Sequence, residues 1–129
     1  MIAYNTSDGV AIVIPTGEIP LQQVIEKDVP TSDYVIVECI PVDRIFRGAW
    51  VINENIVIED LEQSRQISHQ IRRARRDAEF LPLDRLVTVP SQQEYAEAQR
   101  EIIRNKYNIM QEQIDNCITT QQLKEILEE

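Results

Sequence analysis

Residues 50–71, WVINENIVIEDLEQSRQISHQI, decide the fold because the spacing of apolar residues changes within them. Residues 51–58 contain two short apolar segments separated by Asn53, Glu54 and Asn55, a pattern typical of a β-hairpin. From residue 59 onward, apolar and small residues recur at every third or fourth position, which predicts an α-helix. We therefore expect a sheet-forming region to give way to a helical region at about residue 59.

The region before this change predicts a small sheet with one short helix. Asp8 and Gly9 lie between the segments IAYN and VAIVIP, and such a pair supplies the positive φ of a tight hairpin. The segment LQQVIEKD follows Pro20, has helical spacing and must end before Pro30. A further strand, DYVIVECIP, and the hairpin of residues 51–58 would complete an antiparallel or mixed sheet of three to five strands.

The region after residue 59 predicts three helices, at about residues 59–79, 92–116 and 120–128. The first helix has one stripe of residues spaced by three or four: Leu61, Ser64, Ile67, Ile71, Ala74 and Ala78. The fold class is therefore α+β, with a small α/β head at residues 1–58 and a helical region with one long helix at residues 59–129.

Prolines and capping residues mark where these helices begin and end. Pro82 and Pro90 bound a segment that we expect to form a loop, a turn or a short helix of its own. Two pairs have the spacing of a capping box, in which a hydroxyl and a carboxylate or amide three residues later satisfy the first helical N–H groups. These pairs are Ser91 with Glu94 and Thr119 with Gln122.

The longest predicted helix has two apolar stripes. The first stripe has alternating spacings of four and three, as in a coiled-coil seam, and contains Ile103, Tyr107, Met110, Ile114 and Cys117. The second stripe lies about a third of a turn away and contains Tyr95, Ala98, Ile102 and Ile109. In one interpretation both stripes pack against the other two helices. In the other, part of this surface contacts a partner or a second copy, so that residues 92–129 form an interaction module.

The composition excludes several classes of function. The 129 residues include 22 acidic and 13 basic side chains, for a net charge of −9 and a pI near 4.6, which disfavours binding to nucleic acid or to an anionic membrane surface. The apolar runs are shorter than a membrane-spanning helix, and the N-terminus lacks the pattern of a signal peptide. The two cysteines, Cys39 and Cys117, predict reduced, packed thiols rather than a disulfide or a metal site.

The sequence contains no motif that predicts catalysis. The single histidine, His69, lies within a predicted helix without a nucleophile or carboxylate at a catalytic spacing, and we expect it to be a packed or exposed helix residue. We therefore expect a non-enzymatic protein without a cofactor or a metal.

The segment RRARR at residues 72–76 is the strongest concentration of charge. Arg65, Arg72 and Arg76 fall on one side of the predicted helix, which is the spacing of a phosphate-binding strip. Five acidic side chains balance the five arginines of residues 59–80, however. We therefore interpret the strip as a solvated face, or as a surface for acidic groups of a partner, rather than as a nucleic-acid site.

The segment RIFRGAW, residues 44–50, contains the only tryptophan. Phe46 and Trp50 would bury a large area where the strands end, with the stems of Arg44 and Arg47 lying over the rings. The cluster is either a fastening between sheet and helix or a partner contact. The candidate protein-interaction residues of the whole chain are Phe46, Arg47, Trp50, Arg72, Arg76, Ile103, Tyr107, Met110 and Ile114.

Three segments together resemble small proteins encoded by tailed bacteriophages and prophages: EKDVP…DYVIVECIPVDRIFRGAWV, IRRARRDAEFLPLD and IIRNKYNIMQEQIDNCITTQQLKEIL. An arginine-rich helix after a tryptophan-containing strand is also similar to the ends of some tail-fibre and tail-fibre-assembly proteins. The resemblance covers nearly the whole chain and implies a minor virion or tail structural or assembly protein, located in the phage particle or in the host cytoplasm during assembly. The implied partners are other phage structural proteins or a second copy. The alternative is an acidic phage-encoded inhibitor or regulator of a host enzyme, which the net charge favours.

Overall fold

The computed structural model describes residues 1–128; Glu129, the last residue of the predicted helical region, lies outside the described residues. The fold is α+β and divides into two compact units, Met1–Ser64 and Arg65–Glu129, which we call the sheet unit and the helical unit. The elements in chain order are β1 (Ile2–Thr6), β2 (Gly9–Val13), α1 (Leu21–Asp28), β3 (Tyr34–Ile36), β4 (Trp50–Asn53), β5 (Ile56–Glu59), α2 (Leu61–Leu86), α3 (Gln93–Asp115) and α4 (Thr120–Glu128).

Both predicted hairpins are confirmed. β1 and β2 pair antiparallel with Thr6 opposite Gly9, and Gly9 has a φ of +121°, a value that a side chain would strain. β4 and β5 pair antiparallel with Asn53 opposite Ile56. Glu54 in the second turn has a φ of 55°, so this turn uses the left-handed region without a glycine.

The predicted antiparallel sheet is present with three strands, but the prediction that the hairpin of residues 51–58 completes it is wrong, because that hairpin forms a second sheet. β2, β1 and β3 form one antiparallel sheet in that order, and β4 and β5 form the other. The segment after β3 changes partner along its length: the amide of Val37 donates to the carbonyl of Met1 at 2.8 Å, whereas the amide of Glu38 donates to Asn55 at 2.9 Å. The apolar run that predicted one strand therefore contributes to both sheets.

Two apolar clusters form the core of the sheet unit. One contains Ala3, Val10, Val37, Trp50 and Val57. The other contains Ile2 and the buried face of α1, which consists of Val24, Ile25 and the following Val29. The predicted short helix is thus confirmed, and its apolar face packs against β1 because alternate residues of a strand point to opposite sides of the sheet.

The first long helix extends further than the predicted end at residue 79. Asp60 begins it, because its carboxylate accepts a hydrogen bond from the amide of Gln63 at 3.0 Å. α2 then continues through Pro82 to Leu86, so the prediction of a loop, a turn or a separate short helix from Pro82 onward is wrong for residues 82–86. Proline removes the bond to the carbonyl four residues earlier, that of Ala78. Both residues are exposed, so water can satisfy that carbonyl.

The two later helices begin differently. Before α3, residues Pro90–Gln92 form a 3₁₀ turn and no side chain caps the helix, so the predicted capping box of Ser91 is wrong. Before α4, the predicted cap is confirmed: the hydroxyl of Thr119 accepts from the amide of Gln122 at 3.2 Å, and the Gln122 side chain accepts from the amide of Ile118 at 2.8 Å. Among residues 1–128, no helix is both long enough and apolar enough to cross a lipid bilayer.

Candidate functional site on the helical unit

A series of polar contacts shows that α2 and α3 lie side by side in opposite directions. Arg65 donates to the carbonyl of Cys117 at 2.7 Å at one end of the pair. At the other end, Asp84 lies 3.6 Å from Arg100. Lys106 and Glu79 form an ion pair of 3.0 Å between these two contacts. Because the residue number falls on one helix as it rises on the other, the pairing is antiparallel over about 30 Å.

The first apolar stripe of α3 lies inside the helical unit. Tyr107 and Ile114 are buried, and Ile103 and Met110 are half-buried. Leu123 and Leu127 of α4 are buried as well, which explains how a helix too short to be stable alone is held. The stripe that has coiled-coil spacing is thus largely covered within the chain.

The second stripe of α3 lies on the surface. Tyr95, Ile102 and Ile109 are 56%, 59% and 58% exposed, and the small residue Ala98 between them is exposed too. These large side chains are seven residues apart, so they form one row along the helix. We call this row the outer stripe. The sequence predicts it as the second of two stripes, and it is the one whose large side chains are exposed.

The arginine segment is divided between the interior and the surface. Arg72 is buried, with 4% of its area exposed, so the solvated face expected for it is wrong. Arg76 is partly exposed and lies 3.5 Å from Asp77. Burial lowers the pKa of Arg72, and the neighbouring charges of Arg73 and Arg76 lower it further.

A polar relay connects Arg72 with the end of α3. The Nε–H group of Arg72 donates to Nδ1 of His69 at 3.3 Å, so Nδ1 is the acceptor. The proton of the neutral imidazole is then on Nε2, which donates to the Asp115 carboxylate at 2.8 Å. No spacing signal in the sequence connects His69 with a carboxylate 46 positions away, so this contact could not be predicted.

The predicted stripe of α2 is confirmed in its first part only. Ser64 is buried, and Leu61, Ile67 and Ile71 are half-buried, whereas Ala74 and Ala78 are exposed. The buried positions Ser64, Ser68 and Arg72 are spaced by four. Two of them are polar residues outside the apolar pattern, so apolar spacing did not identify the whole inner side of α2.

An open groove of about 500 Å³ lies among the three helices of this unit. Tyr107, Met110 and Leu127 line it together with the ion pair of Glu79 and Lys106. Hydrogen bonding with Tyr107, and then with Lys106, lowers the pKa of Glu79, although burial opposes this shift. Burial and then the bond with Glu79 raise the pKa of Tyr107. The charges of the groove thus stabilise one another.

The aromatic cluster of the sheet unit is largely internal. Phe46 is fully buried and Trp50 is 4% exposed. The guanidinium of Arg47 lies over the Trp50 ring, 4.4 Å from its centroid, as expected for a cation–π contact. The indole N–H group of Trp50 is buried and has no hydrogen-bond partner among residues 1–128. The ring therefore contributes by packing, and its polar atom weakens that contribution.

The cysteines and the acidic side chains form no metal site in the part of the chain that the structure describes. Both cysteines are free. Cys117 is buried, its thiol donates to the carbonyl of Gln113 at 3.1 Å, and burial raises its pKa. Cys39 is exposed, so the expectation that it is packed is wrong.

Comparisons with protein-family models, with curated proteins and with solved structures found no match to this chain.

Proposed function

We propose that this chain is a non-enzymatic bacteriophage protein that acts through protein–protein contacts, as a minor virion or tail structural or assembly protein. The resemblance of its segments to those of tailed-phage proteins supports the part of the proposal that the chain is a bacteriophage protein. The outer stripe supports the mode of action, and it is the observation that carries the proposal. Its location would be the phage particle, or the host cytoplasm while particles assemble.

The outer stripe is unusual for the surface of a protein that acts alone. Exposed apolar residues are common when scattered, but here three large apolar side chains stand in one row that follows one helix for about 21 Å. Tyr95 stands at one end of the row, and tyrosine is enriched where protein partners bind. Removing such surface from water contributes about 25 cal/mol per Å², so contact with another protein would stabilise the complex.

The ionisable groups with shifted pKa values support a structural role for the groove. Glu79, Lys106 and Tyr107 interact with one another across α2 and α3. A catalytic acid or base needs a proton that it can exchange with a substrate. Groups that pair within the chain instead hold the helices in register, as ion-pair networks do in many structural proteins.

The alternative function is an acidic inhibitor or regulator of a host enzyme. Residues 1–64 contain eleven acidic and three basic side chains, for a net charge of −8, whereas residues 65–129 contain eleven acidic and ten basic ones, for a net charge of −1. Such a concentration of charge favours binding to a basic surface of a nucleic-acid enzyme. A tight complex between this chain and a host nuclease or polymerase would favour the alternative.

The test is to measure this chain by quantitative mass spectrometry in purified particles of the phage that encodes it, and in assembly intermediates. We expect the parent chain to be present, and the Ile102→Glu variant to be reduced at least about tenfold because a charge interrupts the outer stripe. Ile118→Glu is the matched control, since Ile118 is 75% exposed but lies outside α3. A parent chain absent from both samples, or equal incorporation of Ile102→Glu, would contradict the proposal.

A further inference from the structure

We infer that the groove between α3 and α4 binds a basic, amphipathic helix of another protein. We call it the α3–α4 groove. Its chemistry is set by Ile109, Met110 and Glu112 of α3 and by Glu125 and Ile126 of α4. This inference rests on the proposed function, because it names the chemistry of a protein that this chain would contact.

The α3–α4 groove is open and follows α3 for about three helical turns. Its wider part has a volume of about 440 Å³ and its narrower part a volume of about 280 Å³, and Ile109, Gln113 and Ile126 line both parts. Along α3 it extends from Lys106 to Asn116, which is about 15 Å at 1.5 Å per residue. The groove can therefore hold a segment of about ten helical residues.

The floor of the groove is apolar. Ile109 is 58% exposed, and Met110 and Ile126 are half-buried, so each of them leaves part of its side chain in contact with water. Ile109 is also the last residue of the outer stripe, so the groove opens where that row ends. Covering this apolar surface would contribute about 25 cal/mol per Å².

The walls of the groove favour a helix over an extended segment as the occupant. Both walls are α-helices, whose backbone N–H and C=O groups bond within the same helix. The groove therefore offers no strand edge with which an extended segment could pair. An occupant must satisfy its own backbone groups, and a helix does so while presenting apolar side chains on one face.

The rim of the groove is negatively charged. Glu112 and Glu125 are exposed, and neither forms an ion pair within the described part of the chain. Lys106, at the narrow end, is already paired with Glu79 at 3.0 Å. The charge that is left for a partner is therefore negative, and lysine or arginine side chains beside the apolar face of a docked helix would complement it.

The distribution of charge along the helical unit agrees with this choice of partner. Residues 65–104 contain six acidic and eight basic side chains, for a net charge of +2, whereas residues 105–129 contain five acidic and two basic ones, for a net charge of −3. The groove lies in this acidic part. A nucleic acid, an anionic lipid surface or an acidic protein segment would be repelled there.

A synthetic peptide of about twelve residues serves as the probe. Its leucines lie three and four residues apart, so that they form one face of a helix, and its lysines lie beside them. One control peptide has the same residues in an order that scatters the leucines, and a second has glutamate in place of each lysine. In fluorescence anisotropy with the full chain at about 0.15 M salt, we expect the probe to bind with a Kd of about 10–100 µM and both controls to bind at least about tenfold more weakly.

Matched variants show whether the probe binds in the groove. Glu112→Lys and Glu125→Lys should each weaken binding about threefold to tenfold. Glu94→Lys makes the same change in net charge on α3 about 27 Å from Glu112, and should change binding less than about twofold. Ile109→Glu should weaken binding at least about tenfold, whereas Ile102→Glu should retain it, although the two isoleucines are 58% and 59% exposed. All five side chains are exposed, so circular dichroism should show that every variant folds.

Several results would overturn the inference. Equal binding of the peptide with scattered leucines would show that only charge attracts the probe, and equal binding by Glu112→Lys and Glu125→Lys would place the probe elsewhere. Tighter binding of the glutamate peptide would assign the groove to an acidic partner. Self-association of the parent in sedimentation equilibrium that Ile109→Glu abolishes and Ile102→Glu retains would assign it to a second copy. None of these measurements uses phage particles, so a failure of the groove is distinguishable from the absence of the chain from particles.

Discussion

Replacing Ile114 by alanine tests which stripe of α3 forms the interior. Ile114 is fully buried, and the change removes three carbon atoms from that interior. At about 0.8 kcal/mol per methylene-sized group, the lost burial costs about 2.4 kcal/mol. A cavity of roughly 80 Å³ adds up to about 1.9 kcal/mol at 24 cal/mol per Å³ if the surroundings do not relax. We therefore expect the free energy of unfolding to fall by about 3–4 kcal/mol.

The matched control is Ile109→Ala, which makes the same chemical change on the outer stripe. Ile109 is 58% exposed, so its replacement should change the free energy of unfolding by less than about 0.5 kcal/mol. Urea unfolding followed by circular dichroism at 222 nm measures both variants. The urea midpoint of Ile114→Ala should lie about 1–3 M below that of the parent. Similar losses for both variants, measured with the protein dilute enough to be monomeric, would show that the assignment of inner and outer stripes is wrong.

Three further measurements test other parts of the structure. Trp50→Ala should lower the free energy of unfolding by about 3–5 kcal/mol, as measured by urea unfolding. Trp50→Phe should lower it by much less, because phenylalanine keeps most of the ring and lacks the buried N–H group that has no partner. Glu79→Gln should lower the free energy of unfolding near pH 7, as measured by urea unfolding. The difference from the parent should shrink and then disappear as the pH falls below about 4.5. The reason is that the pKa of Glu79 is lowered in the folded state, so its stabilising contribution is lost when the carboxylate is protonated. We expect no binding to nucleic acid: neither the parent nor a variant with Gln at Arg73, Arg75 and Arg85 should change the fluorescence anisotropy of a labelled oligonucleotide at low salt. Salt-sensitive micromolar binding by the parent would contradict this expectation.

Features that depend on neighbouring residues could be predicted from the sequence. The hairpin at Gly9 and the turn at residues 53–55 both follow from residues that adopt a positive φ or form turns readily. The cap of α4 at Thr119 follows from a hydroxyl and an amide three residues apart. In each of these cases the structure is determined by groups within a few positions of one another.

Features that depend on distant contacts could not be predicted in this way. Nothing near Val37 indicates that the chain changes sheets there, because the acceptors are the carbonyls of Met1 and Asn55. The passage of α2 through Pro82 brings Asp84 within 3.6 Å of Arg100 on α3, a contact between positions far apart in the sequence. These outcomes are decided by packing between elements, and local preference is too weak to oppose it.

In the candidate site, too, local features could be predicted and features that depend on distant contacts could not. Spacing predicted two stripes on α3 correctly, but which one faces inward depends on where α2 and α4 pack. Arg72 is a clearer example of a position that sequence alone predicts wrongly, because four arginines in five residues indicate a solvent-exposed surface. Its burial is tolerated because His69 accepts its hydrogen bond and Asp115, at the far end of α3, contributes a favourable charge.

The net charge of the chain determines how contact between two copies responds to salt. Each copy has a net charge of −9, so copies repel one another over about 30 Å at 0.01 M salt. At about 0.15 M the screening length falls to about 8 Å, which removes most of this repulsion while apolar contact through the outer stripe persists. Any self-association through the outer stripe should therefore strengthen between these two salt concentrations. Binding to nucleic acid would weaken steadily over the same range, because counterion release then opposes it. The direction of the salt dependence thus separates a protein contact through the outer stripe from a phosphate contact through the arginines of α2.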